Sequence, residues 1–203
     1  AEKYGVPRIA FVNKMDRTGA NFSRVVADVR QKLGANAWPI LIPIGAEDNL
    51  IGQIDVVNKK AVIFSDDDKF GSTYVTRDLQ GDEIAEADAA YEGLVEELCN
   101  VDDEIGTMFL EEKPISVKDV KLALRRAVIG LKIIPMAGGS AFKNKGVQYL
   151  VDAVVDYLPG PLDIPAAQGQ LADDETVKIE ARPNDNDQFV ALAFKLWSDK
   201  FVG

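Results

Sequence analysis

Apolar positions along the chain fall into two textures that alternate. The run Arg8-Ile9-Ala10-Phe11-Val12 is short, apolar and ends at a polar loop, which predicts a buried parallel strand. Phe22, Val25, Val26, Val29 and Leu33 then recur at helical spacing, with Asn21 placed to cap that helix and Gly34 to stop it. From residue 34 to about 130 the texture changes. Apolar runs at 40–44, 51–57 and 61–64 read as strands; Tyr91, Leu94, Val95 and Leu98 mark one helix. Ser116 is placed to cap another, in which Val117, Val120, Leu124 and Val128 share a face. The first texture returns with a strand at 132–137, a Gly-Gly-Ser loop and a helix carrying Val147, Leu150, Val151, Val154, Val155 and Leu158 up to Pro159-Gly160-Pro161. Residues 189–197 read as one further strand.

Two strand-loop-helix units separated by a block of different character predict an α/β domain interrupted by an α+β insertion. The expected division is residues 1–33 and 130–165 for the α/β domain, 34–129 for the insertion, and 166–203 for the opening of a β-rich domain. Charge follows the same boundaries. The chain carries a net charge of −10, yet residues 34–129 alone hold 20 acids against 9 bases. Within them, 82–112 has twelve acids and no base, whereas the next helix carries Lys118, Lys121, Arg125 and Arg126. Two readings stand side by side: a solvated acidic helix leaning on a basic neighbour, and a docking surface for a polar or basic partner.

That net charge argues against a chain whose main business is gripping nucleic-acid phosphates, and no direct nucleic-acid binding is expected. One cysteine, Cys99, and no histidine leave neither an internal disulfide nor a Cys/His metal site. No apolar run approaches the roughly 20 residues a membrane span needs, and a reducing, cytoplasmic setting is expected.

Chemistry gathers where the two outer strands end. Asn13-Lys14-Met15-Asp16 matches N-K-x-D, an element that reads guanine. A carboxylate in the plane of the base, Asp16, can accept from both the ring N1–H and the exocyclic amino group, and adenine offers neither donor there. Asn13 can tie the loop to its neighbours and approach the purine edge. The stem of Lys14 can lie against the base face, and Met15 is the free position. After the second strand, the small-residue loop Ser140-Ala141-Phe142 lets backbone N–H groups approach the guanine O6. Ligands of open α/β sheets bind outside the carboxyl ends of strands, so two such loops in this order predict one guanine pocket for GTP or GDP. No G-x-x-x-x-G-K-[ST] occurs, and the D-x-x-G matches at Asp16, Asp78 and Asp103 lie within or downstream of the guanine reader. Phosphate and magnesium groups are therefore missing, and the chain alone is expected not to hydrolyse GTP.

The stretches 6–17, 19–22 and 139–148, with Leu33-Gly34-Ala35-Asn36, Ile44-Gly45-Ala46-Glu47 and Ala191-Leu192-Ala193-Phe194-Lys195, resemble elongation factor G, a bacterial translational GTPase. The resemblance implies an internal fragment: the later part of a P-loop GTPase domain, its inserted subdomain, and the start of a β-barrel second domain from about Ala166. It also implies that the parent binds Mg²⁺ and drives translocation on the ribosome, and that the insertion meets the ribosomal stalk protein. Gly138 stands where the family often has Cys, and Lys200 where Pro is usual. A ribosome-protection protein would share the same guanine motifs. A non-catalytic interaction module built on the acidic block is the alternative from another class.

Overall fold

The computed structural model describes residues 2–65 and 73–198; Lys200 and Phe201-Val202-Gly203 lie outside them. Eight strands and five α-helices are formed among these residues: β1 (Ala10–Val12), α1 (Phe22–Leu33), β2 (Ala37–Ile44), β3 (Gly52–Asp55), β4 (Lys60–Phe64), β5 (Tyr74–Asp78), α2 (Asp82–Val101), α3 (Asp103–Leu110), α4 (Val117–Ile129), β6 (Ile134–Gly138), α5 (Val147–Tyr157), β7 (Ala167–Gln170) and β8 (Lys178–Ala181). Local chemistry sets several of the ends. The Asn21 side chain accepts from the Arg24 N–H and starts α1, and Gly34 ends it in the left-handed conformation. Ser116 and Asp119 form a reciprocal capping box at the start of α4.

Six strands make one sheet in the order β1-β6-β2-β3-β4-β5. β6 lies parallel between β1 and β2, and β3, β4 and β5 continue antiparallel from β2. The sheet is thus continuous across residue 34, where the sequence texture changes, and Ala1–Leu158 forms one compact unit. Neighbouring residues on a strand feed opposite faces. Met136 and Ile42 join Met15, Phe22, Val26, Leu50 and Ile54 under α1; Ala137 and Leu41 join a larger core with Leu94, Leu98, Ile105, Leu124 and Val128 from α2, α3 and α4. Ile40 also lies on that second face, because the β2–β6 register shifts between Pro39 and Leu41. Helices on both faces of a mixed sheet make this an α/β fold.

Several expectations shift. β5 has no counterpart in the sequence reading, because Tyr74 to Asp78 are mostly exposed and carry no apolar alternation. The periodicity at 147–158 gives the stripe in part: Leu150 and Leu158 pack against the core, but α5 buries Ala153 and Tyr157, while Val151, Val154 and Val155 stay exposed. The strand expected at 189–197 does not form; Phe189, Leu192, Phe194 and Trp197 are all exposed. An alternating segment becomes a strand only with a ladder partner and a face to bury, and among the described residues it has neither.

The second compact unit, Pro159–Gly203, begins before residue 166 and contains the antiparallel pair β7–β8.

Candidate guanine-reading site

Because β1 and β6 are adjacent and parallel, the loops that follow them leave the same end of the sheet. They are stitched together by backbone and side chain. Gly139 N–H donates to the Val12 carbonyl at 3.0 Å, and Met15 N–H donates to the Gly139 carbonyl at 3.0 Å. The Asn13 Oδ1 accepts from its neighbour Lys14 N–H at 2.7 Å and, across the two loops, from Ala141 N–H at 3.0 Å. Asn13 therefore does the tying that its amide suggested. Lys14 sits at φ 62°, a conformation uncommon outside glycine, and its side chain is exposed. A residue held there turns the chain sharply enough to bring Asp16 back toward the second loop.

Asp16 is the most enclosed charge of the site. Its side chain is 8 % exposed, with the Lys143 ammonium 3.7 Å from Oδ2. The Ser140 hydroxyl, chiefly, holds the Asp16 carboxyl below the ordinary carboxylate range; burial opposes this, and Lys143 and Arg17 add to it. With its pKa depressed by folding, ionised Asp16 favours the folded state above the ordinary carboxylate range, and that contribution fades as pH falls through the lowered value. Asp16 is thus an acceptor-only group at neutral pH, as the reading of guanine donors requires.

Ser140 is 1 % exposed and also receives the Lys143 N–H at 3.4 Å. The loop closes on itself through the reciprocal pair Ser140 N–H to Lys145 carbonyl and Lys145 N–H to Ser140 carbonyl, both 2.9 Å. Its tightness demands glycine at 139, where an added Cβ would sit 2.4 Å from the Lys145 carbonyl oxygen. Ala141 is exposed, and the Phe142 side chain is 93 % exposed. All six residues expected in the pocket, Asn13, Lys14, Asp16, Ser140, Ala141 and Phe142, lie on these two stitched loops.

Three participants escape the sequence reading. Met15, free in the motif, is 2 % exposed and plugs the core beneath the loop. Glu47 braces the first loop from behind, its N–H on the Met15 carbonyl at 2.8 Å and its Oε1 receiving Gly19 N–H at 2.7 Å. Gln53 reaches the second loop's root at Gly138. Glu47 and Gln53 come from the segment after the texture change, and no spacing rule connects them to either motif.

Two comparisons with known proteins bear on this geometry. A crystal structure of a protein from Thermus thermophilus shares the fold, with a TM-score of 0.71 at 23 % identity over 83 % of this chain. The chain spans only 24 % of that protein's length. Residues 1–160, which contain both loops and the whole six-stranded sheet, match the family described as the Elongation factor Tu GTP binding domain, and the chain belongs to that family of translational GTPase domains.

Proposed function

We propose that this chain supplies the guanine-reading end of the nucleotide site of a ribosomal translocase of the elongation factor G type, working in the cytoplasm. The observation that carries this reading is the nearly enclosed Asp16 carboxylate on a loop stitched through Asn13 to the Ser140–Phe142 backbone. Asp16 takes the N1–H and exocyclic amino group, the Phe142 N–H reaches O6 while the Ala141 N–H is held by Asn13 Oδ1, and the Lys14 stem covers the base face. The base end of GTP or GDP fits these residues. The sequence has no phosphate-loop motif, so none of its residues is assigned to the magnesium end. No step of GTP hydrolysis is therefore assigned to this chain's own groups.

The reading is tested by removing one donor from the base. IDP lacks the exocyclic amino group, so GDP should bind about tenfold more tightly than IDP, the equivalent of one charge-assisted hydrogen bond. Equal affinities would mean that Asp16 does not face the base.

A second reading concerns the acidic block. α2 and α3 enclose a groove of about 690 Å³ lined by Tyr91, Val95, Cys99, Phe109 and Leu110, with Glu92 and Glu96 on its wall. An apolar floor with acidic walls suits a basic amphipathic segment, and the ribosomal stalk protein is the partner proposed. Replacing Glu92 and Glu96 by Gln should weaken binding of that protein severalfold and flatten its salt dependence. Unchanged affinity would leave the acids as a solvated helix face. Among the described residues no helix is long and apolar enough to cross a membrane.

A further inference from the structure

We infer that Gln53 is a positioning residue of the base site: it supplies from β3 the hydrogen bond that the sheet itself cannot give to the root of the Ser140–Phe142 loop. The inference rests on the guanine reading for its consequence but on the sheet for its geometry.

β2 and β6 run parallel as far as the pair Leu41 and Ala137. In β2 the carbonyls of Ile40 and Ile44 receive N–H groups from Val56 and Ile51, on the β3 side. Odd-numbered residues of β2 therefore face β6, and in a regular parallel ladder the next donor to the Gly138 carbonyl would be residue 43. Residue 43 is proline and has no N–H. Gln53 lies directly across β2–β3 from Pro43, and its Nε2 donates to the Gly138 carbonyl instead. The side chain reaches past the proline to the strand beyond it.

Gln53 is fully buried, and its Oε1 has no hydrogen-bond partner. A buried amide half satisfied is a poor choice for stability alone, since the unpaired acceptor offsets the gain from the paired donor. Its position gives it a use beyond stability. Gly138 is followed by Gly139, whose N–H and carbonyl hold Val12 and Met15, so the root that Gln53 fixes carries both base-reading loops. The same amide fills the space over Gly146 at the loop's other end, where an added Cβ would lie 2.1 Å from Nε2. Close by, the Lys145 ammonium donates to the Leu50 carbonyl at 2.7 Å, a second tie from the loop to the β2–β3 connection.

The test is Gln53→Met, which keeps the volume over Gly146 and deletes the donor. Amide hydrogen exchange at Ala141 and Lys145 should quicken about tenfold, the worth of one buried hydrogen bond, while α4 core amides keep their rates. GDP and IDP binding should both weaken severalfold, because the Ser140–Phe142 loop reaches O6, which the two bases share. Adding Pro43→Ala returns an N–H to the ladder position and should restore slow exchange at Ala141. Unaltered exchange in Gln53→Met, or an equal acceleration throughout α4, would overturn the positioning role. A parent chain without GDP preference would instead overturn the guanine reading, and the exchange rates would still judge Gln53.

Discussion

Asp16→Asn should exchange the base preference of the site, with GDP binding falling about a hundredfold and XDP binding rising. The loss follows from replacing a carboxylate that accepts two charge-assisted hydrogen bonds, each worth about 1.5 kcal/mol or more, by an amide with one acceptor and one misplaced donor. Xanthine carries a carbonyl where guanine carries the exocyclic amino group, so the new amide N–H finds an acceptor there. The surroundings favour a clean exchange. Asp16 is held by the Ser140 hydroxyl, which can donate to an amide oxygen as it does to a carboxylate, and the Asn13–Ala141 stitch does not involve it. Competition between GDP and XDP is the measurement. A retained GDP preference would remove Asp16 from base reading and leave N-K-x-D as a polar turn.

Asp102→Ala should cost about 3 kcal/mol of stability, the largest single loss expected outside the sheet. Asp102 is shared by three helices. Its N–H caps the end of α2 on the Leu98 carbonyl, its side chain caps the start of α3 by accepting from Ile105, and both carboxylate oxygens take the Arg126 guanidinium of α4 at 2.6 and 2.8 Å. The side chain is 7 % exposed, whereas Arg126 is 40 % exposed and can return to water when its partner is lost. That keeps the loss below the level of a fully buried broken pair. Arg126 holds the Asp102 carboxyl below the ordinary range. This stabilisation is therefore present above about pH 4 and is lost as pH falls through the lowered value. Denaturant unfolding at pH 7 and pH 3 checks both parts: the variant's deficit should be large at pH 7 and shrink at pH 3. A deficit under about 0.5 kcal/mol at pH 7 would make the pair an ordinary surface ion pair.

The adjacency of the two loops proposed to read the base was legible because each loop follows a strand with a local signal. N-K-x-D after a strand and a Gly-Ser-Ala loop after a second strand place six residues on two adjoining loops, and the Asn21, Gly34 and Ser116 helix signals are realised where they stand. What stayed hidden depends on partners distant in sequence. Gln53 donates to Gly138 only because Pro43 interrupts a ladder that no local pattern reveals, and Glu47 braces Met15 from a backbone conformation at φ 57° that its residue type does not announce. The acidic run 82–112 was visible as charge, but the apolar groove takes its lining from both α2 and α3, which no local pattern brings together. Residues 189–197 mislead in the opposite sense: they carry a strand pattern but form no ladder with any described strand.

The central claim is that this chain reads guanine with the loops at 13–16 and 140–142. A backbone amide NMR titration with GDP, and with ADP as the control, tests it most directly. The account predicts selective, saturable shifts at Asn13, Lys14, Asp16, Ala141 and Phe142 with GDP alone. Equal shifts with ADP, or none in a well-folded sample, would contradict it and leave the acidic α2–α3 surface as the chain's working part.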